Sequence, residues 1–413
     1  MRFLYTFLLA VPVLFAQDMA NMPGMANMPG MQQDAAPMQA SGTNFNPASS
    51  PMDMVNFSAG GWNFMAHGVV FVVDTQQSGP RGGDKFFSAN WFMGEASHKL
   101  GGGTFTFSSM LSLDPAGITN GRYPELFQTG ETWHNEPIVD GQHPHNFFME
   151  LAVEYTHSLG SGTKLTLYAA PVGDPALGPV AYPHRVSAAE LPQATLAHHL
   201  QDSTHISDDV VTVGVTHGMF GLEGSGFHGA EPGENRWIIS QGAMDSYSAR
   251  FTVTPNANWT GQVSAGRLTH PEALEAGDQV RSTASVTYNK PYARGNWASS
   301  VIWGRVHKTD GQANLNGYGV ESVAKLADKN YLTGRIELVD KDELFLPGSA
   351  LYGDSFRIAA YTGGYTRDFY LIPRIATGLG ANVTTYSMPD ELHAYYGRRP
   401  VAVLFFLRLR LRL

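Results

Sequence analysis

The sequence predicts an all-β fold: an antiparallel up-and-down transmembrane β-barrel of about sixteen strands (14–18), preceded by a disordered arm. Three observations carry that prediction. The first is composition: 15% of the 413 residues are charged, against ~25% in ordinary soluble domains, and the chain holds 45 Gly, 17 Tyr, 23 Phe and 7 Trp. The second is a recurrent alternation of apolar and polar residues, broken by Gly, Pro, Asn and Asp clusters. The third is the spacing of those breaks, which alternate between short and long.

Taken in order, residues 1–16 combine one early charge at Arg2, an apolar run from Phe3 to Phe15 and a small residue, Ala16. This is the pattern of a secretory signal peptide cut after Ala16, and the run is shorter than the ~18 apolar residues a membrane helix needs. Residues 17–58, rich in Met, Pro, Asn, Gln, Ala and Ser without periodic apolar content, are expected to be a disordered periplasmic arm. The barrel is assigned to residues 59–413. Its strands are expected at 62–74, 85–96, 103–113, 146–157, 163–172, 208–217, 220–228, 241–254, 257–270, 279–289, 295–308, 314–326, 329–340, 354–366, 370–382 and 400–413.

If the first strand runs outward, every inward-side turn is short, as at 97–102, 218–219 and 327–328. The opposite connections, including 114–145 and 173–207, are mostly longer. Short periplasmic turns, long outer loops and an even strand count with both termini periplasmic describe a bacterial outer-membrane barrel. The clearest alternation runs from Phe147 to His157, with Phe147, Met149, Leu151, Val153 and Tyr155 expected toward lipid and Glu150 and Glu154 toward the lumen. At the end of the chain Leu407, Leu409, Leu411 and Leu413 alternate with Arg408, Arg410 and Arg412. A lipid-facing arginine at mid-membrane costs ~2–4 kcal/mol, so the leucines are expected outward and the arginines toward the lumen or its rim.

A formal charge of −9 excludes the basic surface a nucleic-acid partner requires. The absence of cysteine excludes disulfides and thiolate metal sites. No Gly-x-Ser-x-Gly elbow, His-Glu-x-x-His helix or compact Ser/His/Asp grouping is present, so no enzymatic activity is expected.

Two constellations suggest metal chemistry. Met19, Met22, Met25, Met28 and Met31 recur every third residue in a flexible Pro-Gly-containing stretch. Thioethers are soft, neutral ligands that suit Cu(I) and serve poorly for Zn(II), Mg(II) or Ca(II). Histidine is concentrated in the two longest outer loops: His134, His143 and His145 in one, and His184, His198, His199 and His205 in the other. In an extended stretch His143 and His145 would point to one side and could share a metal or face the lumen. Glu95 and Asp74 are grouped with Glu150 and Glu154 as an expected acidic wall favouring cations, opposed by Arg250, Arg267, Arg281, Arg305, Arg335, Arg357 and Arg374 on later strands.

The Met repeat ahead of a barrel resembles the copper-resistance outer-membrane protein B family. That resemblance implies a barrel in the outer membrane that binds, passes or confers tolerance to copper, with Cu(I) or Cu(II) as the ion and no other cofactor. The expected partners are the lipid bilayer, the barrel-assembly machinery and copper ions. Two other readings remain open: a general small-solute porin whose arm is incidental, and a surface-binding barrel.

Overall fold

The computed structural model describes residues 38–51, 53–275, 277–310 and 314–412. The signal segment 1–16 and Met19, Met22, Met25, Met28 and Met31 lie outside the described residues. A closed antiparallel barrel of sixteen wall strands is formed by β1 (Trp62–Gln77), β2 (Asp84–Leu100), β3 (Gly103–Leu111), β4 (Phe148–Gly160), β5 (Thr163–Gly173), β6 (Ser207–His217), β7 (Phe220–His228), β8 (Ser246–Asn256), β9 (Trp259–Leu268), β10 (Gln279–Tyr292), β11 (Gly295–Lys308), β12 (Asn314–Leu326), β13 (Asn330–Lys341), β14 (Phe356–Ile372), β15 (Ile375–Ser387) and β16 (Val401–Leu411). Each of the sixteen expected strands is present. At one rim the connections are two or three residues, as at 101–102, 218–219 and 327–329; at the other they include 112–147, 174–206 and 229–245.

β16 closes the wall on β1, from Ala402 opposite Gln77 to Arg410 opposite Val69. That register leaves the first residues of β1 uncovered. A short strand, Met54–Ala59, takes over there, with Met54 opposite His67 and Ala59 opposite Trp62. β16 and Met54–Ala59 therefore share one seam along β1, covering its edge from Gln77 to Val69 and from His67 to Trp62.

The outward face is apolar, with Val213, Leu222, Val263, Val301, Val320 and Ile336 all exposed. Phe220, Trp259, Tyr292, Trp297 and Tyr370 stand outward near the short-turn rim, and Phe86 and Tyr247 near the long-loop rim. Aromatic belts at both edges of an apolar band are the mark of a wall in a bilayer. Inside, the four largest fully buried side chains among the described residues are arginines: Arg185, Arg250, Arg335 and Arg408. Arg408 contacts Glu190 and Asp368, Arg335 lies 3.2 Å from Glu321, and Arg250 lies 2.8 Å from Glu223.

Three expectations are corrected. Met149 faces inward: Met110 pairs with Glu150 but Leu111 pairs with Phe148, so a bulge leaves Met149 as an extra residue and reverses the phase. Leu151 and Val153 keep the outward phase. The arm drawn to residue 58 is folded from Met38 onward. Met38–Gln39 pairs with Phe45–Asn46, and this hairpin is inserted into the lumen. Asp74 lies on the outward side of β1, away from Glu150; its nearest described partner is Gln76, at an exposed position.

The inserted hairpin is held almost wholly by polar contacts. The Gly42 N–H donates to Glu150 (2.6 Å), Ser41 and Asn44 donate to Asp174 (2.8 and 3.0 Å), Arg250 donates to Thr43 (2.8 Å), and the Asn289 amide donates to the Ser49 carbonyl (2.6 Å). At its tip Gly42 has φ +54°, and a Cβ there would meet the Asp174 carbonyl oxygen at 2.3 Å, so only glycine fits. Loops 112–147 and 174–206 fill the other half differently. Leu126 and Phe127 from the first pack with Leu196 and Leu200 from the second against Val306, Val339, Phe356 and Ile358 of the wall. Each such side chain contributes ~1.5–3 kcal/mol on burial, against ~0.5–1.5 kcal/mol net for a hydrogen bond, so the loop cap is fixed more firmly than the hairpin.

Replacing Arg408 with Met leaves Asp368 buried without its cation and Glu190 with only Arg410, 3.6 Å away, and is expected to destabilise the barrel by ~3–5 kcal/mol. The triple variant Arg408→Met, Glu190→Gln, Asp368→Asn is expected to recover most of that loss. The midpoint for heat-induced loss of folded gel mobility measures both.

Candidate functional site

The long-loop half of the lumen gathers the histidines. Loop 112–147 folds back as a hairpin, Tyr123–Trp133 with Glu136–Gln142, laid inside the barrel rather than in its wall. Gln128 donates to Gln142 (2.7 Å) and to the Thr195 carbonyl (3.0 Å), and Lys341 donates to Gln128 (2.9 Å), which fixes the hairpin to the neighbouring loop and wall. The chain leaves this hairpin at His143. Loop 174–206 contributes the short helix His198–Gln201, which carries His198 and His199.

His143, His198 and His199 bring one ligand atom each to within 4.8 Å of one another, and His199, Glu231 and Glu272 form a second such group. The His198 ring donates through Nδ1 to Asp202 (2.7 Å), while His143 Nδ1 lies 3.1 Å from the Pro144 carbonyl and its Nε2 3.0 Å from Glu131. His199 Nδ1 is 3.3 Å from Glu231, without the alignment of a hydrogen bond. Its ring rests on Gly130, where a Cβ would come within 2.4 Å and φ is +113°. Asp202 is the hub: it contacts Arg185, receives His198, and accepts from the Tyr182 N–H (3.0 Å).

Burial sets the electrostatics of these loops. It holds His198 down to about 4 despite Asp202, and it lowers His143, His199 and His205 as well. For Glu231 burial acts upward, but His199, Arg281 and His143 outweigh it and the carboxyl stays below its usual range. Glu272 goes the other way, raised by burial and by Glu231. Burial thus favours the neutral imidazoles, and with them neutral, Arg281, 3.6 Å away, is the cation that favours an ionised Glu231.

The expected site residues divide among several places. His143 joins the cluster. His145 does not: it pairs with Asp114 (2.8 Å) and packs near His205 and Tyr182, because the chain at 143–146 is not extended strand and the same-side rule fails there. His134 sits at the exposed hairpin tip with φ +58°, against Trp133, away from both groups. Glu150 and Glu154 face the lumen as expected, Glu150 accepting from Ser108 (2.6 Å) and Gly42. Arg408 is buried in the lumen, and Arg410 reaches Asp53 (3.1 Å) at the seam. Arg412 is instead exposed at the short-turn rim, 3.8 Å over the Tyr370 ring, since it lies beyond the last paired residue of β16. Of the arginines expected to oppose the acids, Arg250, Arg281 and Arg335 are buried inward, whereas Arg267, Arg305 and Arg357 are exposed near the long-loop rim.

Sequence reasoning noted His198 and His199 as a group without assigning them to the site, and it missed Glu231, Asp202 and Asp114. The signal available was that two histidine-dense loops were also the two longest, so both could reach the barrel axis. A second inward row went unread: His67 Nε2 lies 3.2 Å from Met93 Sδ, with Met110 and Met149 packed beside it.

No protein-family model and no curated protein matches the chain, so the resemblance to the copper-resistance family gains no support there. Among solved structures, the fold is similar to an anion-selective porin from Comamonas acidovorans, with 12% identity, a TM-score of 0.53, and 84% of this chain and 99% of that one covered. It is also similar to OprB of Pseudomonas putida in a high-pH structure, with 9% identity, a TM-score of 0.52, and coverage of 85% and 94%. The chain thus has a porin-like barrel fold.

Because His198 binds its proton near 6.5 when unfolded but near 4 when folded, the stability it allows is complete above pH ~6.5 and falls as pH drops toward 4. The expected loss is on the order of 2–3 kcal/mol. Denaturant unfolding in detergent between pH 4 and 7 should show this slope, reduced in His198→Gln.

Proposed function

We propose that the chain is an outer-membrane, porin-like barrel that passes ions and small hydrophilic solutes through a narrow lumen, with both termini on the periplasmic side and the long loops outside. The observation that carries this reading is the lumen itself. Its wall is lined with charged and polar side chains, and the hairpin at 38–50 blocks it through polar contacts that water can replace. The apolar cap formed by loops 112–147 and 174–206 argues for a restricted passage rather than a wide sieve.

The Comamonas protein is described as an anion-selective porin, and that preference does not transfer. Here the inward arginines are matched by carboxylates, Arg185 by Asp202 and Glu321, Arg250 by Glu223, Arg335 by Glu321 and Arg408 by Glu190 and Asp368. Glu150, Glu154 and Glu95 have no arginine or lysine within salt-bridge distance among the described residues, so the uncovered lumen favours cations.

In planar bilayers the full chain is expected to conduct weakly. A variant lacking 38–50, and Asp174→Ala, which releases Ser41 and Asn44, should both conduct more and show a cation-selective reversal potential in a KCl gradient. Unchanged conductance in both folded variants would defeat the proposal.

A second reading, passage or binding of copper as Cu(I), is favoured by the inward row His67, Met93, Met110 and Met149, which offers one imidazole and three thioethers beside one another. It would also give the Met19–Met31 repeat a purpose. Cu(I) titration of the whole chain should show binding that weakens in Met93→Leu/Met110→Leu, and affinity equal to the parent would remove this reading.

A further inference from the structure

We infer that His143, His198 and His199, with Glu231 as the adjoining carboxylate, form a binding site for one divalent first-row transition cation at the long-loop mouth of the lumen. The site is built by the three longest loops, which supply His143, the His198–His199 pair and Glu231 respectively. It is separate from the soft thioether row and does not depend on whether the lumen conducts.

The donor set selects the ion. Three neutral imidazoles and a carboxylate suit Zn(II), Cu(II), Ni(II) or Co(II), whereas Ca(II) and Mg(II) require oxygen ligands. Two rings are already oriented by outer partners. The Nδ1–H of His198 is committed to Asp202, and Nδ1 of His143 faces the Pro144 carbonyl, which leaves Nε2 of each ring as the ligand atom.

The unpaired atoms provide the second line of evidence. Both ring nitrogens of His199 and both carboxylate oxygens of Glu231 are buried without an aligned hydrogen bond, and His143 Nε2 faces only the Glu131 carboxylate, 3.0 Å away. Each such atom costs ~1–3 kcal/mol, and one cation satisfies several of them at once. In a tetrahedral site with bonds of ~2.0–2.1 Å the donors stand ~3.4 Å apart, so the three imidazole donors, within 4.8 Å of one another, close on one ion with small side-chain rotations, and Glu231, within 4.8 Å of the His199 donor, stands at the fourth position. Gly130 lets the His199 ring lie against the hairpin backbone.

Neighbouring charges place the ion on the imidazole side. Arg236 contacts Glu131, so the carboxylate 3.0 Å from His143 is already neutralised. Arg281 lies 3.6 Å from Glu231 and 3.4 Å from Glu272, which occupies the second, two-carboxylate group with a fixed cation.

The test uses the untagged full chain, folded in detergent, with Zn(II) and Co(II) as probes, since thioethers bind neither well. Equilibrium dialysis should give one Zn(II) per barrel, and Co(II) should develop the intense visible bands of a four-coordinate nitrogen and oxygen site. Asp202→Asn should weaken Zn(II) ~10–100-fold and His143→Ala/His199→Ala by more than that, with folded gel mobility retained. Replacing Met19, Met22, Met25, Met28 and Met31 with Leu should change nothing. Absence of stoichiometric Zn(II), a six-coordinate Co(II) spectrum in the parent chain, or undiminished binding in the folded double variant would each overturn the assignment. If the double variant fails to fold, the Co(II) spectrum of the parent decides alone.

Discussion

A sheet surrounded by lipid cannot keep an open edge, and the rest of this molecule follows from how that edge is closed. β16 pairs with β1 only from Gln77 to Val69, so the segment from His67 to Trp62 needs another partner, and Met54–Ala59 supplies it. This strand runs toward the short-turn rim, so the chain before it must start from within the height of the wall. Outside is hydrocarbon, which would leave Ser41, Asn44, Asn46 and Ser49 without partners; inside, Asp174, the His184 carbonyl and Asn289 provide them. Closing the seam with the amino-terminal segment therefore commits the preceding hairpin to the lumen.

The filled interior has two characters. Around the short-turn half, buried arginines and carboxylates neutralise one another, an arrangement that specifies position but adds little net stability over apolar packing. Around the long-loop half, the leucines and phenylalanines of two loops meet the wall as an ordinary core. Asp202 stands where the two join. It contacts Arg185 and His198 together, so the charged network and the histidine cluster share one carboxylate. A change in the protonation or ligation of His198 is thereby felt by Arg185 and, through it, by Glu321 on β12.

The wall was legible in the sequence because lipid on one side and polar groups on the other impose a two-residue period, and two-residue turns punctuate it. The interior elements lack that period. The loop hairpin carries Glu125, Leu126, Phe127, Gln128 and Thr129 in succession, and all of them are buried because both faces of the hairpin are inside. Residues 38–50 have the composition of a solvated linker, and nothing in that composition reveals that Glu150, Asp174 and Arg250 would supply the hydrogen bonds water normally provides. The His143–His145 pair failed as a single site for a related reason: same-side placement holds only in a strand, and Pro144 lies in a stretch that pairs with none. The bulge at Met149 was similarly invisible, since one added residue alters phase without altering composition.

The seam also has a mechanical meaning. Only residues 51–53 separate the inserted hairpin from Met54–Ala59, and Asp53 is held by Arg410 of β16. With so little slack, tension applied to the amino-terminal side is carried into the wall at its composite strand instead of being absorbed by a flexible tether. The composite strand of the seam and the inserted hairpin are parts of one continuous cord, so a pull on the hairpin loads the seam.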